Sequence, residues 1–192
     1  MNLELLTEVA ATIRQLGSSA ANLSASAINK LALWKKNSSH QAIARPGWDD
    51  FFLSIAYDVA QRSNDAQTGH GAVIVDSSHH ILGVGYNGFM GGIDDSWLPN
   101  IRPDKYDWML HAELNAILNC EHKPKGAAIY VTGHPCLHCF QCIVQVGIKE
   151  IVYDSTHGAV MVNDEMMAKL EIAKWLTRDK VKIREHTITK DR

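Results

Sequence analysis

The chain has 192 residues, 46% of them apolar and 21% charged, enough to bury a core without disulfide or metal staples. A formal net charge of -2 argues against a duplex-binding protein, and no apolar run approaches the ~18 residues of a membrane span. Four cysteines, two of them in one CxxC, point to metal or redox chemistry rather than a disulfide framework.

The N-terminus, MNLELLTEVA, carries Glu4 and Glu8 and no basic leader, so the expected compartment is a reducing cytoplasm. Leu5, Leu6, Val9, Ile13 and Leu16 recur at helical spacing, Gly17 to Ser19 interrupt them, and an Ala- and Ser-rich helical stretch runs from Leu23 to Trp34. KKNSSHQ reads as a linker and Arg45-Pro46-Gly47 as a boundary. Residues 1–45 are therefore expected to form a helical arm, and residues 46–192 the main domain. WDDFFLSIAYDVAQRS predicts a helix with Phe51, Phe52, Ile55 and Val59 on one side and Asp49 and Asp50 in its first turn, where acids are favoured. GAVIV and ILGVGY flank DSSHH as a hairpin, followed by the glycine-rich loop NGFMGGIDD. A helix starts near His111 and ends before Lys123-Pro124. AAIYVT is a strand, and CLHCFQCIVQVG a helix closed by Gly147. KEIVYD is a strand, residues 163–177 a helix and VKIREHTI a last strand. Strands alternating with helices after a hairpin predict an α/β sheet with parallel crossovers.

The chemistry concentrates in HAELNAILNC and HPCLHC. Cys136 and Cys139 are three apart at a helix mouth, so they point the same way, and the positive helix end favours thiolates. If the helix that begins near His111 faces them, one imidazole and two thiolates converge, a donor set suited to Zn2+. Three protein ligands leave a fourth position open, the pattern of a catalytic site. Two thiolates neutralise the ion, so a nearby base is needed, and Glu113 is the candidate. Helical periodicity alone does not aim residues two apart the same way, so this role depends on the shape of the helix mouth. Alone, CxxC is often redox or structural zinc; together, HxE and PCxxC form the zinc nucleobase deaminase signature, with the glutamate as acid/base. Cys120 and Cys142 read as buried small apolar residues. His138 is expected to point away from the site, and His79, His80, His122 and His157 to lie on the surface.

HAELNAI with PCLHC, preceded by GYNG and followed by GIKEIVY, resembles the deoxycytidylate (dCMP) deaminases of the cytidine-deaminase-like fold, over about residues 45–155. The resemblance implies a three-layer α/β/α fold on a mixed five-stranded sheet, with His111, Cys136 and Cys139 as zinc ligands and Glu113 as proton shuttle. It implies that the Ala112 backbone N–H meets the pyrimidine carbonyl, that Asn87 binds the sugar and that Tyr153 lies near the base. The basic residue expected before GAVIV is replaced by Gly69 and His70, which leaves the phosphate contact missing or assigns it to His70. The proline expected after GYNG is absent, and IDDSW lacks the cysteines of a second zinc site, so one zinc is expected. NGFMGGIDD resembles a regulatory nucleotide segment between subunits. There, amides near Gly88, Gly91 and Gly92 would approach phosphate oxygens, and Asp94 and Asp95 would hold Mg2+ or the base and sugar. The family behaviour implied is conversion of dCMP to dUMP for thymidylate synthesis, activation by dCTP, inhibition by dTTP and a homo-oligomer, with a hexamer favoured.

Three other readings compete: a nucleic-acid deaminase, a dCTP-acting deaminase of the same fold, and a non-catalytic zinc module. The net charge disfavours the first, although the segment from Lys174 to Arg192 is locally basic. Glu113 disfavours the last, because a structural zinc site has no use for that carboxylate.

Overall fold

In the computed structural model the described residues are 45–156 and 164–188, together with Leu33. The arm helices expected before residue 45, and His157, lie outside them. Residues Pro46–Arg192 form one compact unit. Its elements are α1 (Trp48–Ala60), β1 (Gly71–Val75), β2 (Ile81–Tyr86), α2 (Ala112–Leu118), β3 (Ala128–Val131), α3 (Leu137–Val146), β4 (Glu150–Tyr153), α4 (Asp164–Leu176) and β5 (Lys182–Glu185). The sheet order is β2-β1-β3-β4-β5. β1 pairs antiparallel with β2 and β3, whereas β3–β4 and β4–β5 are the parallel crossovers expected. The expected mixed five-stranded α/β sheet is the one observed. No helix among the described residues is long and apolar enough to cross a membrane.

The alternation of side chains along a strand divides the core. Ala72, Ile74, Ile129, Val131 and Ile151 face one way, onto Ala112 and Ala116 of α2, Phe140 and Ile143 of α3 and Leu170 of α4. Val73, Val75, Tyr130 and Val152 face the other way, onto Phe52, Leu53 and Ala56 of α1. β1 is buried on both faces, which explains its unbroken apolar run.

α1 turns a different face inward from the one expected. Its buried residues are Phe52, Leu53, Ala56 and Ala60, while Phe51 is exposed and packs edge-on against Trp48 and Phe52. The alanines win because the helix lies directly on β1: a Cβ at Gly71 would stand 1.9 Å from the Ala56 carbonyl oxygen. α2 meets β2 by the same device, since a Cβ at Gly85 would stand 2.2 Å from Ala116 N and one at Gly83 2.6 Å from Ala116 O. Asn115 and Asn119 then donate from α2 to the carbonyls of Tyr86 and Val84, both at 2.9 Å. At the far side of the sheet, Arg184 of β5 forks onto Asp49 at 2.5 and 2.7 Å and reaches Glu150 at 2.6 Å. The Arg184 guanidinium holds the Asp49 carboxyl below its ordinary range, against the opposing effect of burial.

Residues 87–110 link β2 to α2 with two short 3-10 turns, Asp95–Trp97 and Asp104–Asp107. Gly88 and Leu110 close the base of this loop through reciprocal backbone bonds of 3.1 and 2.8 Å. Its middle is pinned by Lys105, which donates to both oxygens of Asp65 at 2.5 and 2.6 Å. Both side chains are at most 5% exposed. Burial pushes the Asp65 carboxyl up, but Lys105 and the amides of Gln67 and Thr68 together hold it below its ordinary range.

Gly85→Ala forces a methyl into the α2 backbone and is expected to lower stability by about 1–3 kcal/mol in denaturant titration. Gly91→Ala, with nothing within 4 Å of its Cβ, is the matched control and should shift stability by less than about 0.5 kcal/mol. Equal midpoints for the two would mean that α2 gives way freely.

Lys105→Met leaves a buried carboxylate unpaired and is expected to cost about 3–5 kcal/mol, part of which a second change, Asp65→Asn, restores. A loss below about 1 kcal/mol in the same titration would mean that Asp65 is reached by water once the lysine is gone.

Candidate active site

The mouths of α2 and α3 face one another. His111 and Cys136 are the residues before each helix, both in extended conformation, with φ/ψ of -73°/153° and -71°/168°. Cys139 sits in the first turn of α3, and its backbone N–H donates to Cys136 Sγ at 3.5 Å. His111 Nδ1 lies 3.5 Å from Cys136 Sγ and 3.4 Å from Cys139 Sγ. A tetrahedral Zn2+ with Zn–N of about 2.0–2.1 Å and Zn–S of about 2.3 Å puts nitrogen and sulfur about 3.5 Å apart. The three residues fit that ion, and they are the group of His, Cys, Asp or Glu side chains among the described residues arranged to hold a metal.

The extended backbone at His111 explains why His111 and Glu113 act together although they are two apart. One residue lies outside the helix and the other inside it, so helical spacing does not apply, and both line the same cleft. Glu113 is 5% exposed, and burial raises its carboxyl while the His111 imidazole opposes the rise. Cys136 accepts from the Cys139 thiol and is drawn down to about 3, with further help from His111, whereas Cys139 is held up as the donor. Its bond to Cys136 raises His111, although burial works against this. Binding of a divalent cation by this set requires both thiols deprotonated and the imidazole neutral at its ligating nitrogen.

A cleft lined by His111, Ala112 and Glu113 opens beside this group. Of the residues expected from sequence, His70, Asn87, His111, Ala112 and Glu113 line it. Asn87 spends its amide on its neighbours. Its oxygen accepts from Ser63 Oγ and the His70 N–H at 2.8 and 2.6 Å, and its nitrogen donates to Asp65 Oδ2 and the Thr68 carbonyl, both at 3.0 Å. Tyr153 stands one layer back, its ring edge-on to His134 at 4.7 Å, and it is His134 that forms the wall. His134 places Nδ1 2.9 Å from the Pro135 carbonyl and Nε2 2.8 Å from Lys174 Nζ, which fixes a neutral ring that donates from Nδ1 and accepts at Nε2.

Sequence reasoning missed Asp65, Thr68, Arg102, Lys105 and His134, all on the wall. Only His134, beside the PCxxC, carried a signal that could have found it. In the glycine loop, Gly91 and Gly92 are open, Gly88 is held against Leu110, and Asp94 caps the Asp95–Trp97 turn by accepting from Ser96 N and Oγ at 2.9 and 2.7 Å. His79, His80, His122 and His138 are exposed, as expected, while Cys120 and Cys142 are half-buried rather than buried.

The chain is 42% identical over 115 residues to the human deoxycytidylate deaminase, covering 56% of this chain and 65% of that protein. To the deoxycytidylate deaminase of Mycobacterium phage D29 it is 36% identical over 125 residues, 58% of this chain and 97% of that one. It thus spans just under two thirds of the vertebrate relatives it matches. The crystal structure of dCMP deaminase from the cyanophage S-TIM5 in complex with dCMP and dUMP superposes with a TM-score of 0.57 at 22% identity. That match covers 75% of this chain and all of the other, a likeness of fold. Residues 46–155, which contain His111, Glu113, Cys136 and Cys139, match the cytidine and deoxycytidylate deaminase zinc-binding region, and the chain belongs to that family.

Proposed function

We propose that the chain is a zinc-dependent dCMP deaminase that replaces the C4 amine of dCMP with a water oxygen, yielding dUMP and ammonia. The observation that carries this reading is Glu113, a buried carboxyl pushed up by burial that lines one cleft with His111 of the metal-ligand group. Zn2+ held by His111, Cys136 and Cys139 supplies the Lewis acidity that makes water a nucleophile near neutral pH. Glu113 Oε takes one proton from the attacking water and passes it to N3 as the oxygen adds to C4; it then takes the second proton from that oxygen and delivers it to the amine, so that the C4–N bond breaks, ammonia leaves and the C4 carbonyl forms. The Ala112 N–H, in the first turn of α2 and so without an intrahelical partner, donates to the pyrimidine carbonyl. Asn87 lines the sugar side of the cleft, with Tyr153 backing the base through His134. The enzyme works in a reducing cytoplasm, which keeps Cys136 and Cys139 as thiols.

The reading extends to a regulated homo-oligomer. Met90, Trp97, Ile101, Tyr106 and Trp108 are exposed on the 87–110 loop, Trp97 by 78%, and this supports burial of the loop against another copy. The open Gly91 and Gly92 leave room for an effector dNTP, dCTP or dTTP, with Asp95 next to its Mg2+.

Turnover measured on dCMP, dCTP, cytidine and single-stranded oligonucleotides tests the reaction, and dCMP should dominate. Glu113→Gln should keep zinc and lose about 100- to 10,000-fold in turnover, whereas Cys136→Ala should lose both. Zinc departing with activity in Glu113→Gln would make that residue structural and end the proton-shuttle assignment.

For regulation, saturation by dCMP should be sigmoidal and become hyperbolic with dCTP, and Asp95→Ala should blunt that response more than it blunts turnover at saturating dCMP. A hyperbolic wild type indifferent to dCTP and dTTP would remove the effector site and leave the deaminase.

A further inference from the structure

The dCMP reading leaves open which group on the cleft wall receives the substrate's 5′-phosphate. Two fixed cations line the cleft among the described residues, Arg102 and Lys105. They differ in how they are held. Lys105 is 2% exposed and donates to both oxygens of Asp65, which itself accepts from Asn87 Nδ2 and from the amides of Gln67 and Thr68. That ammonium is neutralised where it stands, and pulling it away would strand Asp65. His70 is also occupied, with Nδ1 3.3 Å from Thr132 Oγ1.

Arg102 is held differently. Its backbone N–H donates to Gln67 Oε1 at 2.8 Å, which fixes the main chain beside the cleft. Among the described residues its guanidinium meets a hydroxyl and no carboxylate: Nη2 lies 3.1 Å from Thr68 Oγ1. Nε is buried and has no hydrogen-bond partner among the described residues. A buried guanidinium donor without a partner is rare in a folded wall and marks an acceptor still to be supplied. A planar guanidinium with free donors matches a phosphate by shape and charge, and the charge-assisted bonds so formed are the strong ones.

We propose that Arg102, oriented by Thr68, is the specificity residue that recognises the 5′-phosphate of the substrate and makes the site select a nucleotide over a nucleoside. This rests on the dCMP reading. The base goes to His111, Ala112 and Glu113, Lys105 holds the loop, and Arg102 is the cation left on the wall to meet a dianion. The phosphate supplies the acceptor that Nε lacks while Thr68 continues to hold Nη2.

The test measures kcat/KM for dCMP and for deoxycytidine in the wild type, Arg102→Gln, Arg102→Lys and Thr68→Val, all as the full zinc-loaded chain, with melting temperatures as the check on folding. Wild type should prefer dCMP. Arg102→Gln should lower kcat/KM for dCMP by about 10- to 100-fold, mainly through KM, and that for deoxycytidine by less than about threefold. Arg102→Lys should fall between, and Thr68→Val should shift the preference in the same direction by a smaller factor. Competition by dUMP against deoxyuridine should lose the same factor in Arg102→Gln, a readout that needs no turnover. A dCMP-to-deoxycytidine preference unchanged in Arg102→Gln and Arg102→Lys, on an active wild type, overturns this assignment and leaves the deaminase standing. A wild type that deaminates deoxycytidine but not dCMP overturns both.

Discussion

Helix α2 lies against strand β2 with almost no space between their backbones, and the position of the site depends on that contact. A side chain at Gly83 or Gly85 would push α2 outward, and with it His111, Ala112 and Glu113 at its mouth. The distance matters because the other half of the site is carried separately. Cys136 and Cys139 stand on α3, which packs on the same sheet face through Phe140 and Ile143. A ligand set split between two helices stays within 3.4–3.5 Å only if both rest on one stiff surface. β1 and β3, buried across their width, supply that surface. α1 seals the other face with alanines for the same geometric reason, so small residues set both layer spacings.

The cleft holds two buried acids with opposite electrostatic fates. Asp65 faces an ammonium and several amides, so it stays ionised and acts as an anchor. Glu113 is buried with a weaker set of compensations, so its carboxyl is pushed toward taking a proton. Burial is the largest single influence on both, and the partners decide the sign. One wall thereby holds a carboxylate kept charged and a carboxyl pushed toward its protonated form.

The periodic elements were legible in the sequence because each repeats a local rule. Two β-rich runs around DSSHH marked the hairpin, and Gly147 marked the end of α3. The zinc group was legible because HxE and PCxxC are short and each sits at a helix mouth. The inward face of α1 was misjudged because hydrophobicity favoured Phe51, Ile55 and Val59, whereas the closeness imposed by Gly71 favoured Ala56 and Ala60. Asp65, Thr68, Arg102 and Lys105 were not legible at all. They sit in irregular segments 34 to 40 positions apart when paired, and no periodicity reports which loop residues will meet. The same holds for Asn115 and Asn119, whose spacing suits any exposed helix face until the strand beneath them is known.

Those two asparagines have a consequence for the behaviour of the protein in crowded solution. β2 forms one margin of the sheet, and a margin offers unpaired backbone acceptors to any extended segment that drifts by. At Val84 and Tyr86 those acceptors are already taken by amides from the chain's own helix. A foreign strand has to displace two side-chain bonds before it can add a rung there. Copies of the molecule are therefore steered to meet through side-chain surfaces, and growth into a continuous ribbon is discouraged along the same line that fixes α2.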